Sequence, residues 1–186
     1  MRRLLIVVDM QNDFIDGALG TPEAEAVVPA VKAKLRSYPP EDIIATMDTH
    51  EPDYLSTQEG RKLPVEHCIR GTAGWQLRAE IAEELNGGRI YEKPTFGCTR
   101  LAEDLKLVPD LEEIELVGLC TDICVVSNAL LLKAAMPEVR IRVDASCCAG
   151  VTPEKHNAAL ETMRSCQIEV TGASSGKPDS PARGHS

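Results

Sequence analysis

The sequence has no long basic run, no apolar segment of membrane-spanning length and no paired C-x2-C clips, and each absence removes a class of protein. Asp and Glu number 29 against 20 Lys and Arg, a formal charge of -9. Binding a phosphate backbone needs clustered cations that displace counterions, so nucleic acid is not an expected partner. A membrane helix needs roughly 20 apolar residues, so no membrane partner is expected either. The opening "MRRLLIVVDMQNDF" faintly imitates a signal peptide, but its apolar run stops at Asp9 and no small-residue cleavage site follows. A soluble, cytoplasmic protein is expected. There is no internal repeat.

What is present is a chain of 186 residues, 43% hydrophobic, enough for one core. A single domain is expected over 1–171, followed by a disordered tail over 172–186, "GASSGKPDSPARGHS", with no apolar face. His185 in that tail belongs to no expected site. Seven cysteines are an odd number at irregular spacing, which favours reduced thiols. The adjacent Cys147 and Cys148 read as small apolar fillers at a strand end.

Short β-type runs alternate with helical ones. Strands are expected over 4–9, 42–48, 89–93, 113–119, 139–144 and 167–172, with helices starting from Pro22, Trp75, Thr99, Cys124 and Pro153. Strands of continuous apolar character separated by helices describe an α/β fold: a three-layer, doubly wound, mostly parallel sheet of about six strands with helices on both faces. Ligands in such sheets bind outside the carboxyl ends of the strands. Asp9, Asp48, His50, Lys93 and the turn from Cys120 to Cys124 all fall at that end. The segment 49–74 has little periodicity, and a loop of that length in a compact domain is usually functional.

Cys124 lies where a strand turns into a helix. Helix-start N–H groups and the helix dipole stabilise a thiolate, and the same groups stabilise an oxyanion beside it. Asp9 is available as a base and Lys93 as a cation. Taken singly, Asp9 and Lys93 also read as a strand-end ion pair, and Cys124 as a buried packing cysteine. In an extended segment Asp48 and His50 point the same way and can share one cation, with His67 returning from the loop and Glu59 completing the set. Such ligands suit zinc first, with iron or manganese as alternatives. His156 reads as a partly exposed helical residue.

With "VVDMQNDF", "MDTHEPDY", "EHCIRGTAGWQL", "EKPTFG" and "VGLCTDICV" in this order, the chain resembles the isochorismatase-like cysteine hydrolases, and among them the nicotinamidases. The resemblance runs from about Leu4 to about Val170. It implies Asp9, Lys93 and Cys124 as the catalytic trio, and backbone N–H groups of Cys120 and Cys124 as an oxyanion hole. It also implies Asp48, His50, His67 and Glu59 as metal ligands, a cis peptide between Leu119 and Cys120, and a homo-oligomer, dimer or tetramer. The implied reaction is hydrolysis of nicotinamide to nicotinate and ammonia.

One departure stands out. Many nicotinamidases carry an aromatic residue shortly before the metal histidine, where this chain has "RKLPVEHC". That leaves Phe14 and Leu63 as the expected substrate contacts. The alternatives are hydrolysis of another small carboxamide or carbamoyl compound, an isochorismatase-type hydrolase, and a non-catalytic metal or redox module built on Cys120 and Cys124.

Overall fold

The computed structural model describes residues 1–173; from residue 174 onward the expected tail lies outside the described residues. Six strands form one sheet: β1 (Arg2–Val8), β2 (Ile43–Asp48), β3 (Arg89–Lys93), β4 (Leu111–Leu119), β5 (Arg140–Ala149) and β6 (Glu169–Thr171). Their order is β3-β2-β1-β4-β5-β6 and every neighbouring pair is parallel. The chain runs outward from β1 to β3 on one side and then returns to β4 on the other. The switch point of the doubly wound sheet therefore lies between β1 and β4.

Among the described residues seven α-helices connect the strands: α1 (Asn12–Ile15), α2 (Pro22–Leu35), α3 (Gln58–Lys62), α4 (Ala79–Leu85), α5 (Thr99–Leu105), α6 (Val126–Ala135) and α7 (Pro153–Ser165). Two apolar cores lie on the two faces of the sheet. On β1, Leu4, Ile6 and Val8 join Leu101 of α5, Leu132 of α6 and Leu160 of α7. Leu5 and Val7, pointing the other way, join Val31 of α2 and Ile81 of α4. All five of these β1 side chains are wholly buried, each contributing about 1.5–3 kcal/mol. This two-sided burial is why the strands carry continuous apolar runs. Two helices start alike, with Thr21 and Thr152 capping their backbones and proline following.

Several boundaries differ from the sequence expectation, four of them with consequences for the site or the sheet. The helix expected from Trp75 begins at Ala79, because the backbone of 76–78 is taken by the segment after β1. Asn12 N–H donates to Gln76 O at 3.0 Å and Arg78 N–H to Met10 O at 2.8 Å. The helical path at the end of β4 begins at Thr121 as a π turn over Thr121–Val125, rather than at Cys124. β5 runs five residues further than expected, to Ala149: after a register shift, Cys148 and Ala149 pair with Gly118 and Leu119. Cys147 and Cys148 are thus buried within the strand. β6 shrinks to Glu169–Thr171. Among the described residues, no helix is long and apolar enough to cross a membrane.

Candidate active site

β1 and β4 approach closely where they end. Gly118 has φ +118°, and a Cβ there would stand 2.2 Å from Val8 O, so glycine is required at this crossing. The next peptide but one, Leu119-Cys120, is cis. The π turn follows, a distortion found often at functional sites. Within it Cys120 O accepts N–H groups from Ile123 at 3.0 Å and Val125 at 3.1 Å. The N–H of Cys124, between them, does not share that acceptor.

Asp9 follows β1 in the left-handed region, at φ 49°, a conformation that Asp tolerates better than most residues. Its Oδ1 accepts the Thr46 hydroxyl at 2.7 Å, and its Oδ2 stands 2.7 Å from Lys93 Nζ as an ion pair. Lys93, from the last position of β3, also donates to Thr95 O at 3.0 Å and to Cys124 Sγ at 3.4 Å. One ammonium group therefore touches both the carboxylate and the sulfur. Exposure is 0% for Asp9, 1% for Lys93 and 4% for Cys124, so water screens none of these charges effectively.

Burial pushes the Asp9 carboxyl up against the opposing pull of Lys93, which makes it a better proton acceptor than a surface carboxylate. For Lys93 burial acts downward, but the charges of Asp9, Cys124 and Asp48 outweigh it and hold the amine protonated. Cys124 is pushed well above the usual thiol range by burial and by the Asp9 charge, with Lys93 opposing. The helix-start position does not by itself leave a standing thiolate. Desolvation at this sulfur favours the thiol over the thiolate.

Beyond β2, Asp48, His50, Glu59 and His67 present one donor atom each within 4.8 Å of one another. Asp48 Oδ2 is 3.0 Å from His50 Nε2 and 3.4 Å from His67 Nε2. Glu59 Oε1 lies 3.7 and 3.8 Å from the same two nitrogens. Four donors at tetrahedral zinc distances stand about 3.3 Å apart, inside that spread. His67 Nδ1 faces Val65 O at 2.9 Å. A carbonyl only accepts, so Nδ1 carries a proton and Nε2 is the ring atom turned toward the cluster. Burial works against ionised Asp48, but hydrogen bonds from His50 and His67 and the charge of Lys93 prevail and bring it to about 2. The residues therefore fit a divalent cation.

The isochorismatase-domain family model matches residues 3–175. The chain belongs to the isochorismatase family. It is 28% identical to the nicotinamidase of Schizosaccharomyces pombe, over 89% of this chain and 91% of that one. Identity is 29% to the nicotinamidase/pyrazinamidase of Mycobacterium tuberculosis, over 92% and 100%. The solved pyrazinamidase of Pyrococcus horikoshii in complex with zinc superposes with a TM-score of 0.77 at 29% identity, covering 92% of this chain and 99% of that one.

In this isochorismatase-family chain the uncharged polar residues hold the charged ones, and the sequence reading passed them over. Gln11 donates to Asp48 O at 2.8 Å and to Trp75 O at 2.9 Å, and accepts Asp48 N–H at 2.8 Å. It therefore fixes the backbone of the first cluster residue. Asn128 on α6 donates to Cys124 O at 2.8 Å and Phe96 O at 3.0 Å, and accepts Cys98 N–H at 2.8 Å. It ties the sulfur's turn to the loop after Lys93. Tyr54, wholly buried, places its ring 4.8 Å from His50 and 5.0 Å from His67.

The two expected substrate contacts part company. Phe14 is buried with its ring 5.5 Å from that of His67, beside the cluster. Leu63 is 40% exposed; its tie to the site is its carbonyl, which accepts the Tyr54 hydroxyl at 2.9 Å. A groove of about 970 Å³ runs along β3, with Thr49, Trp75 and Lys93 in its wall; Cys124 is not part of that lining.

Proposed function

We propose that this chain is a cysteine-dependent amidohydrolase that converts nicotinamide and water to nicotinate and ammonia. The observation that carries the reading is the single ammonium of Lys93 in contact with both Asp9 and Cys124, sealed from solvent at the switch point. Asp9 takes the proton of Cys124, and the sulfur attacks the amide carbon as Lys93 supports the negative charge passing between them. The oxyanion of the tetrahedral adduct is received by N–H groups of Cys120 and Cys124. Asp9 returns its proton to the departing nitrogen, ammonia leaves, and a thioester remains on Cys124. Water, deprotonated by the same carboxylate, adds to the thioester; its collapse releases the carboxylic acid and restores the thiol.

Asp48, His50, His67 and Glu59 would hold a divalent cation, zinc being the best match to two imidazoles and two carboxylates. When bound, it supplies a Lewis-acidic anchor for a ring nitrogen. Phe14 offers that ring an apolar wall, so the missing aromatic before His67 does not leave the site without one. The small carboxamide class is also supported by the relatives named nicotinamidase and pyrazinamidase.

The test is ammonia release from nicotinamide, pyrazinamide and aliphatic amides, with metal analysis of the same preparations. Cys124→Ala is expected to abolish turnover and keep the metal, whereas His50→Ala loses metal and raises KM. Turnover surviving in Cys124→Ala refutes the thioester route.

A further inference from the structure

The turn that carries Cys124 is gripped from outside the trio. Thr121, its first residue, is wholly buried. Its hydroxyl stands 2.6 Å from Nδ1 of His156, on the second turn of α7. The next residue, Asp122, accepts the N–H of Val151 at 3.0 Å through Oδ1. One tie comes from the start of α7 and the other from the short segment between β5 and α7. Gly150 allows the approach: a Cβ there would meet His156 N at 2.7 Å and its Cα at 2.9 Å. The chain thus brings α7 against the turn at a glycine, and a half-buried imidazole closes on the only side-chain hydroxyl in that turn.

We propose that His156 is a positioning residue for the hydrolysis, acting through Thr121 to hold the N–H groups of the Cys120–Cys124 turn where the oxyanion forms; this rests on the amidohydrolase reading above. Thr121 is joined directly to Cys120, and its carbonyl accepts the N–H of Val126 where α6 begins. A shift of its side chain therefore moves both ends of the turn. Oxyanion donors act only when they already point at the developing charge, so a small rotation lowers the rate of the chemical step and leaves substrate affinity alone. Neither His156 nor Thr121 is near the metal-ligand cluster in sequence, and neither belongs to the proton path between Asp9 and Cys124. Burial pulls the imidazole below its ordinary value against the opposing charge of Asp122, which keeps it neutral in the hydrogen bond.

The experiment compares wild type with His156→Ala, His156→Asn, Thr121→Val and the His156→Ala/Thr121→Val pair. His156→Ala is expected to lower kcat about tenfold, one hydrogen bond's worth, at unchanged KM. His156→Asn, whose amide reaches the same hydroxyl as Nδ1, stays within about threefold of wild type on the same scale. The double variant is expected to be no slower than the slower single one, because both lose the same contact. Hydrogen exchange of the peptide spanning 119–126, read by mass spectrometry, supplies a measure independent of turnover: exchange quickens in His156→Ala and returns toward wild type in His156→Asn.

Wild-type kcat and exchange both retained in His156→Ala overturn the proposal, as does multiplicative loss in the double variant. A wild type inert toward every amide overturns the amidohydrolase reading instead. In that case the exchange data still decide whether His156 holds the turn.

Discussion

Replacing Lys93 by methionine keeps the side chain's reach and removes its charge. Both side chains of the Asp9–Lys93 pair are 0% exposed, so the substitution strands a carboxylate in the interior. Breaking a buried pair from one side costs about 3–5 kcal/mol, which at about 2–4 °C per kcal/mol for a domain of this size lowers Tm by about 6–20 °C. The loss should depend on pH in a particular sense. Burial already pushes the Asp9 carboxyl up while Lys93 opposes; without the lysine that opposition vanishes and the folded-state value climbs further above the unfolded one. A carboxyl raised in this way binds its proton more tightly in the folded chain. Its contribution is fully present below the unfolded value of about 3.9 and is lost as pH rises through the folded value.

The deficit relative to wild type therefore widens from about pH 4 toward about pH 8. Urea melts at both ends of that range, on wild type, Lys93→Met and Lys93→Met/Asp9→Asn, measure it. The double variant carries neither charge and should recover most of the stability at the alkaline end. An equal deficit at both pH values, or a double variant no more stable than the single one, refutes the buried-pair account.

Two further outcomes follow from the supporting residues. Gln11→Ala strands the N–H and carbonyl of Asp48 at about 1–3 kcal/mol each, and should weaken metal binding about 10- to 100-fold; thermal melts and a zinc competition titration read the two effects. Gly118→Ala places a Cβ 2.2 Å from Val8 O between two central strands and should cost about 4 kcal/mol or more. A soluble variant melting within a degree or two of wild type would contradict that geometry.

The sequence alone determined the layered α/β class, because strands buried on both faces carry continuous apolar runs rather than alternating ones, as Leu4 to Val8 of β1 and Leu116 to Leu119 of β4 do. It also determined which charged groups gather at one end of the sheet. A parallel sheet points all strand ends the same way, so Asp9 after β1, Asp48 and Lys93 ending β2 and β3, and the turn after β4 share one rim whatever the strand order. Only the tertiary structure decided that Lys93 reaches across β2 to touch Asp9 and Cys124 together, since the strand order is set by connections that no local pattern encodes. It alone displaced the helix expected at Trp75, where the hydrogen bonds of Asn12 with Gln76 and of Arg78 with Met10 outweigh helix periodicity. Gln11, Thr46, Asn128, Tyr54 and His156 stayed illegible for the same reason: an uncharged polar or aromatic side chain has no charge or spacing that announces a partner tens of residues away. The upward push on the Cys124 thiol is likewise a three-dimensional property, because desolvation depends on how completely the fold closes over the sulfur.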